Sequence, residues 1–433
     1  MRRTGVFVAA LIGAALLAAT ATAQVTMTCE LGQPDGWMKG GYGNVKYTFK
    51  NEGETPGKIV AWKAQWEVNG ELFGEEPATD EDVCELPAGK ETTVSKIGWL
   101  DPEVAEKADP GNAIWVGSYT VEVGDERIEV PFRIEVPEAV MKEPMVLVEG
   151  EHISYEVTQS HYEALGANAE RLLRWLNQSY EAMTDLVGQE PYGGKMIVIK
   201  ESPPHPWYAY AGNPIIMDTT YMDALIEEIN KGIFPFGWIH EMGHDFDIAE
   251  DMYGDWYIWS GGTCEGEANL KLVYAHEAIP DQDWKAKWSE DENAVYPTPV
   301  KDMLLDGKQC MDSRFLFAID TYLADPTIPW EEGFCQHIFL QRIARVYGWD
   351  PVKKWYRTYA ALQARGCEKP ETPTEKVQLM AAVLSETTGA DLVHLFQVWR
   401  APVTADDVAA MKQRYPIEEA VKSIVLTSKE AAE

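Results

Sequence analysis

Two periodicities divide the chain near Pro137. Before it, apolar residues recur at alternate positions in Val45-Lys46-Tyr47-Thr48-Phe49, Ala61 to Val68, Tyr119 to Val123 and Ile128 to Val136. That is the spacing of strands with one buried face. Turn-forming clusters, Asn51-Glu52-Gly53-Glu54 and Pro87-Ala88-Gly89, separate these runs, so the segment is expected to fold as a small Ig-like β-sandwich. Beyond a short connector the spacing becomes three and four. Leu165, Ala169, Leu172, Leu176, Tyr180, Met183 and Val187 predict one long amphipathic helix. Met196 to Lys200 reads as a short buried strand, Pro214 to Met217 as a second apolar run, and Thr219 to Lys231 as a helix ended by Gly232. After residue 300 the pattern is mostly helical, with apolar faces at Phe315 to Leu323, Phe334 to Tyr347, Val352 to Leu362 and Val377 to Leu384.

Composition adds a compartment and removes one class of partner. Arg2 and Arg3, an apolar run from Val6 to Leu17 and the small residues Ala21-Thr22-Ala23 before Gln24 have the layout of a cleaved export signal over residues 1–23. No later segment is apolar enough to span a bilayer, so a secreted or periplasmic protein without stable membrane insertion is expected. The net charge of -33 becomes -35 once Arg2 and Arg3 are removed. An acidic chain of this kind is a poor match for nucleic acid, whose phosphates need a basic surface. The six cysteines, Cys29, Cys84, Cys264, Cys310, Cys335 and Cys367, form no CxxC pair. This disfavours a thiolate metal site, and export permits disulfides. Cys29 and Cys84 fall in the same β-segment and are the first pair expected.

The densest chemistry lies in WIHEMGHDFD, residues 238–247 of a chain with eight histidines. On a helix, His240 and His244 at i and i+4 share a face and can address one metal ion. Glu241 is offset enough to stay off the ion and serve a water beside it as general base. A catalytic zinc takes three protein ligands and lowers the pKa of its water to about 7, so one more ligand is required. The residues after His244 contain no HxxGxxH continuation. A glutamate on a following helix is the alternative, and Thr263-Cys264-Glu265-Gly266-Glu267-Ala268-Asn269 offers two. Glu265 shares a face with Asn269, whereas Glu267 pairs at i, i+4 with Lys271 as a solvated ion pair. Glu265 is therefore preferred, with Glu267 second and Glu277 a distant third.

AGNPI (Ala211 to Ile215), HEMGH and the Glu265-to-Asn269 stretch together resemble the enhancin and mucin-degrading gluzincin peptidases. Tyr347-Gly348-Trp349 and Asp391 to Trp399 with Pro402 are similar to the C-terminal helical signature of that family. The resemblance spans roughly residues 150 to 410. It implies a zincin-type peptidase domain at 138–280 with a helical subdomain at 281–433, behind the accessory sandwich at 24–137, in an α+β multidomain protein. It also implies one Zn2+ held by His240, His244 and Glu265, with Glu241 as catalytic base. Asn213 stands where the family usually has tyrosine, and Ala268 where it often has asparagine.

Substrate contacts follow more loosely. Trp256 and Trp259, with Tyr253 and Tyr257, lie between the metal ligands and could stack on a sugar, or simply pack beneath the loop. Ala211 to Met217, with Gly212, Asn213 and Pro214, could be an edge strand that pairs with substrate backbone, since proline cannot donate to a ladder. Tyr257, His276 and His337 are candidate oxyanion donors, none of them preferred. Asn177-Gln178-Ser179 is a formal glycosylation sequon inside a helical pattern.

The leading expectation is a zinc endopeptidase acting on secreted or surface proteins, O-glycosylated mucin-like ones above all. The N-terminal sandwich would then contact glycan or a cell-surface protein. A non-cutting adhesin would not need the base Glu241, and an aminopeptidase would need an acidic anchor for the free amine, for which no GxMEN-type segment is visible.

Overall fold

The computed structural model describes residues 25–32, 37, 41–76, 84–100, 104, 107, 113–279 and 322–426. The export signal, Cys310 and most of the apolar face expected at Phe315 to Leu323 lie outside them. The chain divides into two compact units. One is built from residues up to Lys142 together with Ser202–Tyr208, the other from Glu143–Glu201 with Ala209 onward.

The first unit holds β1 (Val25–Leu31), β2 (Gly41–Asn51), β3 (Gly57–Val68), β4 (Glu71–Glu76), β5 (Cys84–Leu86), β6 (Glu91–Leu100), β7 (Ala113–Val123) and β8 (Glu126–Val136). They form one sheet in the order β1-β2-β6 and a second in the order β4-β3-β7-β8, with β5 also beside β3. Alternation does the work anticipated from the sequence: Val45, Tyr47 and Phe49 of β2 and Tyr119, Val121 and Val123 of β7 point into one apolar core. Trp37 sits at its centre, edge-on to Trp66 at 4.5 Å and to Trp115 at 5.5 Å. Its slot is a pair of glycines, Gly43 and Gly98, facing each other across β2 and β6. A Cβ on Gly43 would fall 1.2 Å from Trp37 Nε1.

The Cys29–Cys84 disulfide is not formed. Cys29 lies on β1 opposite Tyr47, and Cys84 lies on β5 opposite Ile59 of the other sheet. Both thiols are free, as are those of Cys264 and Cys367.

The second unit contains β9 (Met145–Val148), β10 (Ile153–Thr158), β11 (Ile197–Ser202), β12 (Ala209–Tyr210) and β13 (Ile215–Asp218), in the sheet order β12-β13-β11-β10-β9. The long helix expected from Leu165 to Val187 is two: α1 (Gln159–Leu165) and α2 (Asn168–Val187). Gly166, at φ 52°, ends the first by returning its N–H to Tyr162 O. The helix expected over Thr219 to Lys231 is a 3-10 turn at Thr219–Tyr221 followed by α3 (Met222–Asn230), and Gly232 at φ 81° follows it. The sheet edge on this side is β12, and β9 is the other. Residues Ile215 to Asp218 lie between β11 and β12 and are buried, so the Ala211 to Met217 segment is not the open edge it was expected to be.

Next come α4 (Phe236–Ile248) and α5 (Gly261–Ala278), which pack on each other and on α2. The described C-terminal part is helical: α6 (Trp330–Gly333), α7 (Gln336–Tyr347), α8 (Asp350–Gln363), α9 (Pro373–Thr388), α10 (Val393–Val398), α11 (Ala405–Arg414) and α12 (Ile417–Lys422). It belongs to the same unit as α4 and α5, with α7 packed on α5 and α8 on α2. No described helix is long and apolar enough to cross a membrane.

Candidate metal centre

HEMGH forms the middle of α4, and His240, His244 and Asp247 lie at i, i+4 and i+7, one face of the helix. That face meets α5, whose first turn is capped by the Ser260 side chain accepting from Thr263 N–H at 3.1 Å. Gly243 sets the closeness of the crossing. A Cβ there would fall 2.8 Å from Ala268 O and 3.0 Å from Ala268 Cα, so the α4 backbone runs against that of α5 at Ala268.

The crossing brings together His240, His244 and Glu265, each offering one ligand atom within 4.8 Å of the others. Glu265 Oε2 stands 3.1 Å from His240 Nε2 and 3.7 Å from His244 Nε2. The two imidazoles are nearly perpendicular, with ring centres 4.7 Å apart. Each ring is held from behind. His240 Nδ1 contacts Asn269 Oδ1 at 2.9 Å, and His244 Nδ1 contacts the Cys264 thiol at 3.4 Å. The Asn269 oxygen can only accept, so it holds a proton on Nδ1 of His240 and turns Nε2 toward Glu265. Phe236 stacks on the His240 ring at 5.5 Å. Exposure is unequal: the histidine side chains are 12% and 9% accessible, that of Glu265 48%.

The electrostatics suit a cation. The bonds from His240 and His244 hold the Glu265 carboxyl well below the ordinary range. Burial pushes the Glu241 carboxyl up, the two histidines pull it back and Glu265 adds to the push. Burial, reinforced by Asp247, raises the Cys264 thiol to about 12, so it meets His244 as a neutral thiol rather than as a thiolate ligand. Two imidazoles and one carboxylate converging on one point, with the outer ring nitrogens already engaged, fit a tetrahedral Zn2+ with one open position.

Glu267 is not a solvated partner of Lys271. Both side chains are fully buried. Glu267 accepts from Gln336 Nε2 at 2.8 Å and from the Tyr356 hydroxyl, facing away from the histidines. Glu277 accepts from Trp349 Nε1 at 2.7 Å.

The expected substrate residues fare unevenly. Trp256 is 2% exposed and packs on Tyr359 and Tyr415, so it has no face to offer a sugar. Replacing it with alanine should cost about 3–5 kcal/mol of stability, as for other buried tryptophans. Thermal denaturation reads this directly, and an unchanged Tm would contradict the packing. Trp259 is half-buried against Trp330 and Phe334, with Nε1 donating to Glu331 O at 3.3 Å. Gly212 N–H donates to Asp245 Oδ1 at 2.8 Å. The Asn213 side chain accepts from Val198 N–H at 3.2 Å and donates to Met196 O at 2.9 Å, satisfying β11 rather than a ligand. Pro214 is exposed.

Among the oxyanion candidates, Tyr257 gives its hydroxyl to Asp247 at 2.6 Å. His276 is buried, and that burial lowers its pKa to about 4. His337 is buried behind Gly266. The Asn177 amide is consumed by the β9–β10 turn, its oxygen accepting from His152 N–H at 2.7 Å and its nitrogen donating to Ile153 O at 3.1 Å.

Sequence reasoning missed Asp245 and Asp247. Asp245, fully buried beside His244, joins the Tyr192 hydroxyl and Gly212 N–H on one oxygen, and burial pushes its carboxyl well up. Two further acids within three residues of His244, on a helix whose remaining residues outside HExxH are uncharged, were the available signal.

A family model described as peptidase M60, enhancin and enhancin-like, matches residues 139–400. The chain belongs to that family. Its M60 region contains the α4–α5 crossing and all three residues of the cluster, and as a member of a metallopeptidase family the protein is assigned metal-dependent peptide hydrolysis. Among solved structures, this M60 protein is similar to a functionally unknown conserved protein from Bacillus anthracis str. Ames, at 14% identity over 93% of this chain and 82% of that one, with a TM-score of 0.44. It is also similar to a metallopeptidase from Bacteroides thetaiotaomicron, at 11% identity over 93% and 65% with a TM-score of 0.40. No curated protein matches the chain.

Proposed function

We propose that the protein is an exported, zinc-dependent endopeptidase of the gluzincin type that cleaves secreted or surface glycoproteins, in particular O-glycosylated mucin-like chains. The observation that carries this reading is the cluster of His240, His244 and Glu265 beside a buried Glu241, inside a peptidase M60 region.

His240, His244 and Glu265 would hold the ion, which when bound supplies Lewis acidity toward water and the scissile carbonyl. The chain's own groups do the rest. Asn269 keeps the His240 ring oriented, with Nε2 toward the ion. Glu241, whose carboxyl is already biased toward accepting a proton by burial, takes one from the attacking water and hands it to the leaving amine. The N-terminal sheets, taken as an Ig-like sandwich, act as an accessory module toward glycan or a cell-surface protein. Export rests on Arg2, Arg3 and the apolar run before Gln24.

The test is cleavage of mucin before and after enzymatic O-deglycosylation, with and without a zinc chelator. Chelation should abolish cleavage and added Zn2+ restore it, while deglycosylation should slow it at least several-fold. Equal rates on both substrates would remove the glycan from the reading, and activity that survives complete zinc removal would remove the mechanism.

A further inference from the structure

Three residues past His244, Asp247 enters a fully buried ion pair with Lys271 of α5. The ammonium bonds both carboxylate oxygens at 2.7 Å, and neither side chain is accessible. The surroundings complete the set. Lys271 also donates to Glu267 O at 3.2 Å, and the Tyr257 hydroxyl donates to Asp247 Oδ1 at 2.6 Å. Glu267, 3.9 Å from the ammonium, takes donors from Gln336 of α7 and Tyr356 of α8.

Buried ion pairs are an expensive way to add stability, because desolvation cancels most of the attraction and well-packed apolar residues often do as well. What such a pair provides is a fixed relative position of two elements. Here the α4 and α5 backbones come close at Gly243 and Ala268, and two helices meeting at one close point remain free to pivot about it. A second tie is needed to stop the pivot. Asp247–Lys271 supplies that tie beyond Gly243 and Ala268 in both helices, while His240 meets Glu265 before them.

We infer that Lys271 and Asp247 are positioning residues for the metal centre: their pair locks the α4–α5 crossing at the angle that brings the Glu265 carboxylate to both histidines. The inference rests on the metal-binding reading of that cluster, and neither residue touches the ion or the substrate.

The test is made on the full chain with K271M and with D247N/K271M, which removes both charges of the pair. Three quantities are measured: Zn2+ affinity by competition with a chromophoric chelator, the Tm of the metal-free protein, and the visible spectrum after Co2+ substitution. In D247N/K271M, Zn2+ affinity should fall at least tenfold and the Co2+ bands should shift or weaken, while the metal-free protein still unfolds cooperatively. Wild-type affinity and an unchanged Co2+ spectrum, whatever happens to Tm, would reduce the pair to a structural role. Failure of the wild-type protein itself to bind Zn2+ would instead overturn the metal reading on which the inference stands. If K271M does not fold, D247N/K271M decides alone.

Discussion

Glu241→Gln should leave Zn2+ binding intact and lower kcat by about a hundredfold to ten-thousandfold, the usual contribution of a positioned general base. The amide is nearly isosteric with the carboxylate but cannot accept the proton of the attacking water. Glu241 is 9% exposed and is not one of the three clustered residues, so the substitution leaves that cluster untouched. Metal content of the purified variant and kcat on a cleavable mucin or casein separate the two effects. A variant that keeps its zinc and still turns over at the wild-type rate would exclude Glu241 as the base.

Gly243→Ala should damage the site without touching any of its chemistry. In an unconstrained helix interior the change would favour folding by about 1 kcal/mol through propensity alone. Here the added methyl would lie 2.8 Å from Ala268 O and 3.0 Å from Ala268 Cα, and backbone atoms cannot rotate aside as a flexible side chain can. The helices must separate, at an expected net cost of about 1–3 kcal/mol for overpacking. Because Glu265 reaches the histidines from across that crossing, Zn2+ affinity should fall together with Tm. Unchanged affinity and Tm would mean that the backbones are not in contact there.

The residues that announced themselves in the sequence were those whose meaning depends on local spacing. His240, Glu241 and His244 follow from a five-residue pattern, and Glu265 was separated from Glu267 by its i, i+4 relation to Asn269; the structure brings Glu265 to the histidines and turns Glu267 into the interior. The strands with strict alternation, β2, β3, β7 and β8, were equally visible. What periodicity could not supply was contact across sequence distance. Glu267 and Lys271 have the spacing of an exposed helical pair, and only the arrival of Asp247, Gln336 and Tyr356 from other elements makes their burial tolerable. Trp256 had two readings because a loop sequence does not say what packs over it, and Tyr359 and Tyr415 lie more than a hundred residues away. The two-helix break at Gly166 was hidden because the apolar spacing runs straight through it.

The unequal exposure of the three clustered residues separates affinity from kinetics. Both histidines are anchored in the helix interface, so they can be withdrawn only by loosening the fold, whereas Glu265 has its carboxylate half in water. Were an ion held there, its exchange would begin with a swing of the Glu265 side chain, the two histidines staying in place. In such an arrangement the two helices would hold the seat, and the single glutamate would set how long an ion stays.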